Sequence, residues 1–130
     1  MNWSKALIKW TSATALYLFW PAVALIVWGE LTPHPPEWTA HVWDKALHFT
    51  AYFGLAGMAT LIFGISRRAL WALLALVALG AALEGLQSLT GRDASLFDEV
   101  ANCAGITLGF LMAWGFVSAL KSRMLATTTD

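Results

Sequence analysis

Long apolar stretches, separated by short polar or proline-containing segments, are the feature that most restricts the fold of this chain. A helix of about 20 apolar residues is long enough to cross the roughly 30 Å hydrocarbon layer of a membrane. With 58% hydrophobic and only 12% charged residues, the chain of 130 residues has the composition of an integral membrane protein. Its length allows about four such helices and leaves no room for a soluble domain.

The polar boundaries between the apolar stretches predict an all-α membrane helix bundle that forms a single domain over residues 1–130. The predicted spans are about 10–28, 44–65, 69–88 and 96–120. The segment from Glu30 to Trp43 contains three prolines, which cannot continue a helix, so it is predicted to be the longest loop.

The distribution of basic residues predicts the orientation of the bundle. Lys45 and Arg92 would lie on one side of the membrane, whereas the other side would receive Lys5, Lys9, Arg67, Arg68, Lys121 and Arg123. Because cytoplasmic loops carry an excess of lysine and arginine, both termini are predicted to be cytoplasmic. The formal net charge is zero, and nothing in it indicates a nucleic-acid partner.

Ionisable and other polar side chains near the outward ends of the spans are the candidate site. Such groups are costly within a membrane unless they are paired or hydrated. Residues three or four positions apart share one helix face, so three spans can present their polar groups to one outward-facing pocket. The candidate ligand-binding residues are Asp44, Lys45, His48, Tyr52, Glu84, Gln87, Arg92, Ser95, Asp98 and Asn102.

Two of the features on the fourth span also have structural interpretations. Gly105 and Gly109 are four residues apart, a pattern of small residues that lets membrane helices approach closely, so we expect them to serve helix packing. Ser95 could be the N-cap of this span and Asp98 could complement its dipole. A polar cluster that only pins the helices together therefore remains an alternative.

Four short motifs, in this order on consecutive spans, resemble the VanZ-like family of bacterial membrane proteins. They are Asp44-Lys45-x-x-His48-Phe49, Glu84-x-x-Gln87, Arg92-x-x-Ser95-x-x-Asp98 and Asn102-x-x-Gly105. The resemblance covers about residues 44–109 and implies a small multi-pass protein of the bacterial inner membrane. The family's named member is associated with resistance to teicoplanin, so the resemblance implies a role in the cell envelope or in glycopeptide resistance.

Two functions follow from the candidate residues. In the first, Arg92 and Lys45 bind the phosphate or carboxylate of a lipid headgroup, while Gln87 and Asn102 form hydrogen bonds with it. In the second, the protein is an intramembrane enzyme that acts on a lipid-linked substrate, with His48 as a general acid or base that Glu84 or Asp98 orients. No nucleophile motif accompanies these residues, and we favour binding over catalysis.

A third interpretation is a hard-cation site formed by Asp44, Glu84, Asp98 and Asn102, because carboxylate and amide oxygens suit calcium or magnesium. Lysine and arginine could instead neutralise the acids, and we favour such pairing, with no metal and no cofactor. The expected partners are membrane lipids, including lipid-linked envelope precursors. A second copy of the chain or another membrane protein remains open as a further partner.

Overall fold

The computed structural model describes residues 3–32, 44–89 and 95–126. These residues form four helices and contain no strand: α1 (Trp3–Leu31), α2 (Asp44–Phe63), α3 (Arg67–Gln87) and α4 (Leu96–Ala126). Each helix is long and apolar enough to cross a membrane. The prediction of an all-α, multi-pass membrane protein with four spans is confirmed.

The first and last helices are longer than predicted. α1 begins at Trp3 and continues to Leu31, so Glu30 is helical and the prediction that the loop starts there is wrong. α4 continues beyond residue 120 to Ala126. The polar residues mark where a span meets water, but a helix does not have to end there. The rest of the proline-containing segment, residues 33–43, lies outside the described residues.

Consecutive helices run in opposite directions. The Ser12 hydroxyl in the first half of α1 donates a 2.7 Å hydrogen bond to the Leu61 carbonyl near the end of α2. The ends of α1 and α3 meet where the Gln87 side chain donates to the Glu30 carbonyl. We call this end of the bundle, where α1 and α3 end and α2 and α4 begin, the polar end. The start of α1 and the end of α4 therefore lie at the opposite end.

The closest packing in the bundle is between α2 and α4, which run parallel. A Cβ atom added to Gly105 would clash with the Phe49 carbonyl oxygen, and one added to Gly109 would clash with the Phe53 carbonyl oxygen. Both glycines are buried. The expectation that they serve helix packing is confirmed, and this contact fixes the height of α4 beside α2.

The turn between α2 and α3 follows local rules. Gly64 has a φ of 63°, a left-handed conformation that suits glycine after the end of a helix. Ser66 is the N-cap of α3, and its hydroxyl accepts a hydrogen bond from the Ala69 amide. The short turn holds α2 and α3 as antiparallel neighbours, which brings the end of α3 back to the polar end.

Candidate functional site

Polar side chains from all four helices meet at the polar end. All but one of the buried polar or charged residues in the described ranges lie there, each with at most 9% of its surface exposed: Glu30, His48, Glu84, Gln87, Asp98 and Asn102. The remaining one, Thr60, donates its hydroxyl to the Ala56 carbonyl of its own helix. We call the residues at the polar end, together with Asp44, Lys45 and Glu99, the polar cluster.

His48 lies at the centre of the polar cluster. Its Nδ1 atom is 3.2 Å from Asn102 Oδ1 and 3.6 Å from Glu30 Oε1. On the other side of the ring, Nε2 is 3.9 Å from Asp44 Oδ2 and 3.9 Å from Glu84 Oε1. One imidazole from α2 is thus surrounded by oxygen atoms from each of the four helices.

The hydrogen bonds around Asn102 assign the tautomer of His48 in its neutral form. The Asn102 amide nitrogen donates to Glu99 Oε2 at 3.0 Å, because a carboxylate can only accept. The amide oxygen therefore faces His48 and accepts from Nδ1–H. In the neutral ring this leaves the lone pair of Nε2 directed towards the side where Asp44 and Glu84 lie.

Two further contacts join α4 to its neighbours. The Lys45 ammonium donates to Asp98 Oδ1 at 3.0 Å, with 30% of the Lys45 side chain exposed and only 3% of Asp98. The backbone amide of Ser95 donates to Glu84 Oε2 at 3.0 Å, which ties the end of α3 to the start of α4. The partner of Glu84 is therefore a backbone group together with His48, and Lys45 pairs with Asp98.

The polar cluster contains two acidic residues that the sequence interpretation did not select. Glu30 was assigned to a loop, yet it is buried beside His48. Glu99 supports Asn102, and a Cβ atom on Gly80 would lie 2.6 Å from Glu99 Oε2, so this glycine makes space for the carboxylate. In the sequence, Glu30 could have been recognised as an acid directly after a long apolar run. Glu99 could have been recognised by its i, i+3 spacing to Asn102.

The hydroxyl of Tyr52, which is fully buried one turn beyond His48, has no hydrogen-bond partner in the described residues. The same is true of the buried Oε1 atom of Glu84. Buried polar atoms are nearly always satisfied in folded proteins, since an unsatisfied one costs about 1–3 kcal/mol. A bound ligand could form the hydrogen bonds that these atoms lack within the described residues.

The predicted spacing on α2 is borne out in its geometry. Asp44 is exposed at the rim, whereas His48 and Tyr52 are buried, so this face descends from the rim into the bundle. Arg92 lies outside the described residues, and its role stays a prediction. The ligand-binding role of the other candidates stays a prediction as well.

The described residues offer no obvious nucleophile for a catalytic site. The Ser95 hydroxyl accepts a hydrogen bond from the Phe97 amide at 3.2 Å, as expected of an N-cap residue. The Cys103 thiol donates to Glu99 Oε1 at 3.8 Å. The interpretation of His48 as a general acid or base would therefore require water or a substrate group as the nucleophile.

Negative charge exceeds positive charge among the described residues of the polar end. Lys45 is the lysine there, whereas the carboxylates are Glu30, Asp44, Glu84, Asp98 and Glu99. Such a site is suited to a cation, or to a ligand that carries one, as much as to an anion. An anion bound by Lys45 would therefore lie close to several negatively charged side chains.

Comparison with protein-family models, with curated proteins and with solved structures gave no match. The resemblance to the VanZ-like family thus depends on the four sequence motifs alone.

Proposed function

We propose that the polar end binds the phosphate-bearing headgroup of a membrane lipid, with cell-envelope lipids and lipid-linked envelope precursors as the ligand class. The observation that carries this proposal is the position of the Lys45 ammonium. It lies at the rim of the polar cluster and is held there by the buried carboxylate of Asp98 at 3.0 Å.

A lysine ammonium has three hydrogen-bond donors, and Asp98 accepts from one of them. The remaining donors are available to a phosphate at the rim, where 30% of the Lys45 side chain is exposed. The neighbouring Asp44, half of whose side chain is exposed, would suit an amine or hydroxyl of the same headgroup. Together they favour a headgroup that carries a phosphate and a hydrogen-bond donor.

The depth of the polar end supports a lipid ligand. The four helices are long enough to cross a membrane, and the polar end is where two of them end and two begin. Lipid headgroups lie at this level, just outside the hydrocarbon layer. A headgroup could therefore reach Lys45 while its acyl chains stay against the apolar outer surfaces of the helices.

Membership of the VanZ-like family, location in the bacterial inner membrane and cytoplasmic termini belong to this proposal. Under this orientation the polar end faces outward, where envelope precursors are used. A role in envelope homeostasis or in teicoplanin-type resistance would follow from binding of such a precursor. The support for these points is the motif resemblance and the distribution of basic residues.

The test is native mass spectrometry of the protein extracted gently from its own membrane. We expect a discrete co-purifying lipid in the wild type and about tenfold less of it in Lys45→Met, because a charge-assisted hydrogen bond to phosphate is lost. Lys121→Met is the matched control, since Lys121 is exposed on α4 at the opposite end. Arg92→Ala, measured in the same way, tests the predicted role of Arg92.

A purely structural cluster gives a different result in a double variant, Lys45→Met with Asp98→Leu. Replacing a buried ion pair by apolar residues of similar size often preserves stability. If the pair only joins α2 to α4, the folded double variant should keep the bound lipid. Retention of the lipid by that variant would contradict the proposal, and its loss from a folded protein would support it.

A further inference from the structure

In the neutral form of His48, three lone-pair acceptors converge on one side of the ring. They are its own Nε2, Oδ2 of Asp44 and Oε1 of Glu84, with both oxygens 3.9 Å from the nitrogen. The Glu84 oxygen is buried and has no hydrogen-bond partner among the described residues, although its side chain is aimed at His48. Acceptors that face each other repel unless a positive group lies between them.

The distances from His48 Nε2 to Asp44 and Glu84 are closer to those between two ligands of one metal ion than to the length of a hydrogen bond. A hydrogen bond to an imidazole nitrogen spans about 2.7–3.2 Å, so 3.9 Å is too long for one. Two ligands of a tetrahedral zinc ion, each about 2.0–2.1 Å from it, are roughly 3.3 Å apart. Asp44, His48 and Asp98 each offer an atom within 4.8 Å of the other two, so binding of the ion would draw these atoms together by up to about 1.5 Å.

The far side of the imidazole has the support that histidine ligands usually have. A histidine that binds a metal through one nitrogen generally donates the other N–H to an oxygen acceptor, which fixes the ring and its tautomer. Here Nδ1–H donates to Asn102 Oδ1, and Asn102 is held in turn by Glu99. In the neutral ring, this chain of contacts leaves Nε2 as an acceptor that faces the acidic side of the cluster.

We propose that the polar end binds one divalent first-row transition-metal ion, with His48 Nε2 and the carboxylates of Asp44 and Asp98 as ligands and Glu84 as a further oxygen donor. An imidazole combined with carboxylates suits Zn²⁺ or Mn²⁺ better than Mg²⁺, which prefers oxygen ligands alone. Asp44 is half exposed and gives the ion a path from the rim. Two positive charges would also offset part of the acid excess at this end.

This site differs from the pairing of acids with lysine and arginine that the sequence favoured. Lys45 pairs with Oδ1 of Asp98, which leaves the other oxygen of that carboxylate for the ion. Asp44 and Glu84 approach the histidine instead of the lysine. The proposal does not depend on lipid binding, although an ion beside Lys45 would attract the same phosphate.

The test is a titration of the full-length protein in detergent with ZnCl₂ after treatment with EDTA, against a competing chelator, together with metal analysis by mass spectrometry. We expect one Zn²⁺ per chain, and Asp44→Asn should weaken its binding at least about tenfold. His48→Gln should weaken it further. Ser12→Ala, which changes a hydrogen bond at the opposite end, should leave it unchanged.

The apparent melting temperature of each variant shows whether it is folded, and Asp44→Asn carries the test if His48→Gln does not fold, since Asp44 lies at the rim. Absence of stoichiometric Zn²⁺, displacement by an equal concentration of Mg²⁺, or binding unaffected by both substitutions would overturn the proposal. Lys45→Met separates it from headgroup binding, because this variant should lose lipid and still bind Zn²⁺.

Discussion

Gly109 of α4 lies directly against the backbone carbonyl of Phe53 in α2, with no space for even a methyl group between the two helices. Gly105 lies in the same way against Phe49, one turn nearer the polar end. These two contacts place Asn102 and Asp98 beside His48 and Lys45. The geometry of the polar cluster therefore depends on the absence of side chains deeper in the bundle.

The first prediction concerns this contact. Gly109→Ala should lower the free energy of unfolding by about 1–3 kcal/mol, because the added methyl group must push two backbones apart. Gly115→Ala is the matched control on the same helix, since a Cβ atom there would meet nothing within 4 Å. Unfolding titrations in mixed detergent micelles would measure both. Equal stability of the two variants would show that α2 and α4 can separate without cost.

The α4 stripe shows how much could be predicted from the sequence. The four spans, the packing role of the glycines and the descending face of Asp44, His48 and Tyr52 follow from hydrophobic runs and from helical spacing. The sequence does not show which side chains pair with each other, because this depends on how the helices are rotated and on their relative heights. Thus the sequence allows Lys45 to neutralise any of the nearby acids, and in the structure it pairs with Asp98.

Glu30 shows a second reason why the site was only partly predicted. A polar residue at the boundary of an apolar run can belong to the helix or to the loop, and local sequence does not distinguish the two. In the structure α1 includes Glu30, and contacts with His48 and Gln87 keep it buried. These contacts are with residues far away in the sequence, so they could not be inferred from the boundary itself.

The second prediction concerns Asn102, which is fully buried and joins Glu99 to His48. Asn102→Ala should destabilise the protein by about 1–3 kcal/mol, because the buried His48 and the half-buried Glu99 each lose a hydrogen bond. Thr107→Ala serves as the control, since that exposed hydroxyl bonds only to its own helix. The comparison is made from apparent melting temperatures in the same detergent. A variant of Asn102 as stable as that control would argue against the assigned hydrogen bonds.

The third prediction concerns the orientation of the bundle. Consecutive helices run in opposite directions, so the start of α1 and the end of α4 lie at the same end of the bundle. Reporter enzymes fused to either terminus should therefore give the same result. A reporter active only in the cytoplasm should be active at both, as the distribution of basic residues predicts. A reporter that requires the opposite side should be inactive. Activity of the latter would place the polar end in the cytoplasm and remove outward-facing precursors from the ligand class.

The fourth prediction concerns the hydroxyl of Tyr52, which is fully buried and has no hydrogen-bond partner in the described part of the chain. Tyr52→Phe should leave the free energy of unfolding unchanged or raise it slightly, because an unsatisfied group is removed while the ring is kept. Thermal unfolding of the lipid-free protein would measure this. A fall of more than about 1 kcal/mol would show that the hydroxyl has a protein partner.

The same variant relates Tyr52 to the ligand of the polar end. If the hydroxyl is retained in the buried core because a bound headgroup or ion contacts it, Tyr52→Phe should weaken that ligand without affecting stability. Lipid retention and Zn²⁺ affinity of the variant would each be compared with those of the wild type. If Tyr52→Phe weakens the binding of only one ligand, the hydroxyl contacts that ligand. If Tyr52 acts only through the packing of its ring, the substitution should weaken the binding of neither the lipid nor Zn²⁺.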